Sequence, residues 1–129
     1  MPFVRIDTVA GHYTAEQRAI IGEVLREAMC GLGVPEDHRF QLFAEHAPRG
    51  PALDRGCFGI PRTDGLVAIH ITMNAGRSLE QKRGLFAAIA NGLHERVDVR
   101  REDVFVNLVE VARENWSFGD GEARHAPVG

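Results

Sequence analysis

The chain has 129 residues, 44% of them hydrophobic, and a formal net charge of −3. That describes one globular domain with enough apolar material for its own core. The charge and the lack of any Lys/Arg run exclude a nucleic-acid or anionic-membrane surface, and no apolar stretch has the length of a membrane helix. With no signal peptide ahead of its first strand, the chain reads as cytoplasmic. Its two cysteines, Cys30 and Cys57, match no metal-ligand spacing and are expected to be free thiols used as small apolar filler.

Phe3-Val4-Arg5-Ile6-Asp7 alternates apolar and polar residues, the period of a half-buried strand. Thr14 followed by Gln17 has the form of a capping box. Behind it Ile20, Ile21, Val24, Leu25, Ala28, Met29 and Leu32 make the apolar stripe of a helix, which Gly31, Gly33 and Pro35 should stop. A second strand follows over Phe40–Glu45. The pattern then returns as a strand over Val67–Thr72, a capping box at Ser78 and Gln81, a stripe of Leu85, Phe86, Ile89, Ala90 and Leu93, and a strand over Val104–Val109. Positions 3 and 67, 14 and 78, and 40 and 104 are each 64 apart, and Glu16-Gln17-Arg18 recurs as Glu80-Gln81-Lys82.

This spacing predicts an α+β fold built from a duplicated β-α-β unit, with repeats over about 2–46 and 66–110 and a tail over 111–129. Right-handed crossovers should place both helices on one face of a shared four-stranded sheet. The other face would then be bare and apolar. Val4, Ile69 and Ile71 are not all expected to fit beneath one helix layer, so an oligomer is expected.

Proline as second residue admits two readings: a strand-starting residue, or, once Met1 is removed, a free secondary amine able to act as base, acid or nucleophile. With Pro2-Phe-Val-Arg-Ile-Asp come Gly33-Val-Pro, Arg39-Phe-Gln, His46, Arg77-Ser-Leu-Glu-Gln-Lys, Asp103-Val-Phe-Val, Glu110 and Trp116-Ser-Phe-Gly-Asp-Gly121. In that order and spacing they resemble the tautomerase superfamily, and within it the malonate semialdehyde decarboxylase group. The Trp-Ser-Phe-Gly-x-Gly stretch is the most specific piece. The resemblance implies a homotrimer of β-α-β duplications, no cofactor, no metal, and a small carboxylate-bearing 2-oxo or enol substrate bound near Pro2. It assigns proton transfer to Pro2, a carboxylate anchor to Arg77 and an apolar wall to Trp116 and Phe118. Arg39 reads as a substrate ligand or as the ion-pair partner of neighbouring Glu36 and Asp37.

Two departures from the group bear on the chemistry. Where the group has an aspartate directly before Arg-aromatic-Gln, this chain has His38, with Asp37 one residue earlier. Where the group has Arg-x-Arg, it has Ala75-Gly76-Arg77; the tail, with Arg124 and His125, differs as well. A carboxylate beside the proline would hold it cationic, whereas burial and a nearby arginine favour the neutral amine. The expected reaction is therefore keto–enol tautomerisation with Pro2 as base, and His38 is a candidate proton shuttle. Decarboxylation or hydration of a β-oxo acid such as malonate semialdehyde is the alternative and needs Asp37 to reach the site. A non-catalytic trimeric binding protein is the third reading. His46, His70 and Asn74 are weaker candidates at strand ends, and His12, His94 and His125 read as surface residues.

Overall fold

The computed structural model describes residues 2–48 and 55–123. Six main elements follow in order: β1 (Phe3–Val9), α1 (Ala15–Cys30), β2 (Phe40–His46), β3 (Val67–Asn74), α2 (Leu79–Val97) and β4 (Val104–Val111). Both capping boxes form. The Thr14 hydroxyl accepts from the Gln17 amide at 3.1 Å while Gln17 Oε1 accepts from the Thr14 amide at 2.9 Å, and Ser78 and Gln81 do the same at 3.1 and 2.8 Å. Two of the four orphan donors at each helix start are thereby satisfied.

The sheet order is β2-β1-β3-β4, with β1 parallel to β2, β3 parallel to β4, and the two halves joined by the antiparallel β1–β3 pair. Both helices cover one face. Ile21, Val24, Leu25 and Met29 of α1 and Leu85, Ile89 and Leu93 of α2 meet Val4, Ile6, Val67, Ile69, Ile71 and Met73 in one core. Phe86, expected in that stripe, is instead 37% exposed. Among the described residues no helix is long and apolar enough to cross a membrane.

The duplication holds, with a one-residue adjustment. The helix caps are 64 apart, but the strand ends are 65 apart: Ala10 donates to the His46 carbonyl as Ala75 does to Val111, and the Gly11 amide donates to Glu45 as Gly76 does to Glu110. The loop between Gly11 and Thr14 holds two residues, His12 and Tyr13, where Arg77 alone separates Gly76 from Ser78. A one-residue slip reverses every side chain across a strand. Val4 therefore matches Ile69, and Ile6 matches Ile71. The expectation that Val4, Ile69 and Ile71 overflow one helix layer is thus corrected: they are 2%, 1% and 0% exposed beneath the helices.

A bare face exists all the same, made by the alternate residues. Its rows run Phe40–Phe3–Thr72–Val109, Leu42–Arg5–His70–Asn107 and Ala44–Asp7–Ala68–Phe105 across the sheet. Phe40, Leu42 and Phe105 are each half exposed. Cys30 and Cys57 are unpaired, but Cys57 is exposed, not apolar filler.

Candidate active site

Pro2 is buried and directly precedes Phe3, which lies between Phe40 of β2 and Thr72 of β3. A cavity of about 250 Å³ opens beside it, lined by Pro2, Phe3, Phe40, Trp116, Ser117 and Phe118. The Phe3 and Phe40 rings, 5.5 Å apart, form its sheet side. Trp116 and Phe118 stack at 5.4 Å and form the opposite wall. The chain returns there after β4, and the Trp116 indole N–H donates to Asn74 Oδ1 at 2.7 Å. Indole nitrogen only donates, so the Asn74 acceptor must be its oxygen.

Behind Pro2 lies a second pocket of about 10 Å³, room for roughly one water. Val4, Met29 and Val34 give it an apolar floor, and Arg26, His38 and Arg39 bring positive or titratable groups. Among the described residues no Asp or Glu borders either cavity. Glu23 sits one layer back. It accepts from Arg26 Nε at 3.0 Å and from Arg39 Nη1 at 3.1 Å, and the Arg26 hydrogen bond above all holds its carboxyl below the usual range. Arg39 therefore pairs across to α1; Glu36 pairs with Arg26 at 3.5 Å instead, which corrects the expected local pairing. The crossing passes over Gly22. A Cβ there would lie 2.7 Å from Gln41 Oε1 and 2.9 Å from Arg39 Nη2.

His38 borders the pocket behind Pro2, whereas exposed Asp37 borders neither cavity. Arg77 precedes the α2 cap, in the loop Ala75-Gly76-Arg77, and also borders neither. Glycine is required within that loop: Gly76 has φ +130°, and its amide donates to Glu110 at 3.3 Å. Lys82 pairs with Glu110 at 2.5 Å and is the main reason that carboxyl titrates below its usual range. Arg77 Nη1 donates to the Asn74 carbonyl at 3.4 Å, and no carboxylate of the described residues lies within ion-pair distance of it.

The remaining candidates lie elsewhere. His46 pairs with Asp7 at 2.6 Å, at the far end of β2 from Phe40, and His70 contacts Thr72 in mid-strand. His12 and His94 are exposed. Met1 and His125 lie outside the described residues. Sequence reasoning missed Gly22, Glu23 and Arg26, although α2 carries Phe86, Ala87 and Ala90 at the matching places. That mismatch between repeats was the available signal.

Duplicated β-α-β units, a buried second-residue proline and an aromatic cavity beside it define the class of protein. A family model described as "Tautomerase enzyme" matches residues 38–119, and a second of the same description matches residues 2–53. The probable tautomerase YusQ of Bacillus subtilis (strain 168) is 34% identical over 96% of this chain and 98% of its own. The chain belongs to the tautomerase family. Among solved structures it is similar to FG41 malonate semialdehyde decarboxylase inhibited by 3-bromopropiolate, with 34% identity, TM-score 0.85 and coverage of 95% and 92% of the two chains. A second malonate semialdehyde decarboxylase, described with decarboxylase and hydratase activities, is similar at 28% identity and TM-score 0.86, with 95% of each chain covered.

Proposed function

We propose that this chain catalyses keto–enol tautomerisation of a small 2-oxo or enol carboxylic acid without a cofactor, in the cytoplasm. The observation that carries the reading is the set of described groups around Pro2: apolar walls, Arg26, Arg39 and His38, with no carboxylate of the described residues bordering either cavity. Burial and positive neighbours both disfavour an ammonium. After Met1 removal the Pro2 nitrogen is then a neutral base, able to take a proton from the enol oxygen or the adjacent carbon and return it to the other. Arg77 holds the substrate carboxylate and steadies the charge that develops on the enolate. Trp116 and Phe118 exclude water, His38 relays protons behind the proline, and Arg39 with Glu23 braces β2 against α1. The bare sheet face is covered by two further copies in a homotrimer.

Pro2→Ala should abolish ketonisation of a 2-oxo acid enol while leaving the circular dichroism spectrum unchanged, and a fully active variant would refute the role. Decarboxylation of a β-oxo acid is the second reading, favoured by the likeness to the malonate semialdehyde decarboxylases. It requires a cationic Pro2. A Pro2 nitrogen titrating well above neutrality by nitrogen-15 NMR would select it over tautomerisation.

A further inference from the structure

One wall of the candidate site, the indole of Trp116, and the guanidinium of Arg77, which lies outside the cavity lining, come from different segments, yet both end on one residue. Asn74 is the last residue of β3. Its side-chain oxygen accepts the Trp116 indole N–H at 2.7 Å, and its main-chain carbonyl accepts Arg77 Nη1 at 3.4 Å. The antiparallel register pairs Phe3 with Thr72, so the Asn74 end of β3 lies beside the Pro2 end of β1.

The duplication supplies an independent observation. The residue matching Asn74 in the first repeat, 65 positions earlier, is Val9, 6% exposed. The fold is therefore satisfied by an apolar side chain at this strand end. In the second repeat a polar one stands there, its oxygen taken by the tryptophan of the cavity wall.

We propose that Asn74 is a positioning residue of this site, fixing the Trp116 ring over the cavity beside Pro2 from the same strand end that receives Arg77. The inference rests on the tautomerase reading for its kinetic consequence but not for its geometry. An aromatic wall hanging on a post-strand segment has free rotamers, and a single hydrogen bond to a rigid strand end selects one of them. The wall and the proposed anchor both end on the last residue of β3, so Asn74 couples the spacing of the two loop-borne groups to that strand end.

Trp116 is the only tryptophan in the chain, so intrinsic fluorescence reports on it alone. Three proteins are compared at full length: wild type, Asn74→Ala, which lacks the acceptor, and Asn74→Asp, which keeps an acceptor oxygen. Asn74→Ala should red-shift the emission, raise its quenching by acrylamide and lower kcat/KM roughly five-fold, as loss of one net hydrogen bond implies. Asn74→Asp should return both readouts toward wild type; a folding defect in the alanine variant alone would not produce that pattern. Unchanged fluorescence in Asn74→Ala overturns the proposal. Altered fluorescence with wild-type kcat/KM also overturns it, because the ring would then be anchored without consequence for the site. If the wild type turns over no 2-oxo acid, the tautomerase reading fails by itself, and the emission of the three proteins still decides whether Asn74 holds Trp116.

Discussion

The two arginines read as substrate ligands, Arg39 and Arg77, should behave differently when removed. Arg39 is already bound: its Nη1 lies 3.1 Å from Glu23 and its Nε 3.3 Å from Gln41 Oε1. Among the described residues Arg77 has the Asn74 carbonyl at 3.4 Å as its one hydrogen-bond partner, and the nearby Glu110 is taken by Lys82, so most of the Arg77 fork faces no described carboxylate. A hydrogen bond to a charged partner is worth about 1.5–3 kcal/mol. At 1.4 kcal/mol per tenfold, Arg77→Leu should raise KM roughly 10- to 150-fold. If the carboxylate is held equally in ground and transition states, kcat should stay close to wild type. Arg39→Leu should leave KM unchanged and lower the melting temperature slightly, because an exposed ion pair contributes little. The assay is ketonisation of a 2-oxo acid enol, followed by loss of enol absorbance, together with melting curves by circular dichroism. Equal rises in KM for the two variants would refute the reasoning, as would an unchanged KM in Arg77→Leu.

Tyr13, the only tyrosine, donates to the Gly65 carbonyl, and burial together with the Asp103 charge pushes its phenol up to about 12. Between pH 10 and 12 the unfolded chain would release a proton that the folded chain keeps, so stability should fall as pH rises through that window; tyrosinate absorbance with a midpoint near 10 in the folded protein would contradict this. A Cβ on Gly92 would lie 2.6 Å from Val24 Cγ1 between the helices. Gly92→Ala should therefore cost about 1–3 kcal/mol of overpacking against about 1 kcal/mol gained in helix propensity; Val24→Ala in the same chain should recover part of the loss, and strictly additive melting shifts would argue against the clash. Sedimentation should give a trimer that Leu42→Lys, on the bare face, converts to monomer; a stable wild-type monomer at micromolar concentration would sink the assembly.

Elements set by local chemistry were legible in the sequence. Both capping boxes form as read, because each is a pair of hydrogen bonds within four residues. Sheet faces were harder. The extra residue at His12-Tyr13 is invisible to a comparison of element starts, yet it reverses which strand residues meet the helices. Pairings at long separation were also out of reach: Arg39 lies beside Glu36 and Asp37 in sequence but crosses Gly22 of α1 to reach Glu23, 16 residues away. Of the site, Pro2, His38, Trp116 and Phe118 do border its cavities, and they came from the family resemblance, not from periodicity. Asp37 does not, and nothing in the spacing alone separated it from His38.

The duplication sorts scaffold from chemistry. Features present in both repeats hold the fold: the capping boxes, the Ala-Gly turns, and the clamps in which Arg18 meets Glu45 at 3.1 Å and Lys82 meets Glu110 at 2.5 Å. Features present once cluster at one end of the sheet. At the other end Val67 stands where Pro2 stands, fully buried, and its nitrogen is an amide continuing from Leu66, with no basicity. Asp103 matches His38 and is spent inside the fold, accepting from the Thr63 amide at 2.7 Å and hydroxyl at 2.6 Å. Ala87 and Ala90 replace Glu23 and Arg26, and Val9 replaces Asn74. A proline whose nitrogen Met1 removal would free, a cationic neighbourhood and a hydrogen-bonded tryptophan therefore coincide at one end only. The second repeat folds without these groups at the matching places, and their coincidence at one end supports the proposal of one proline-based site in each chain.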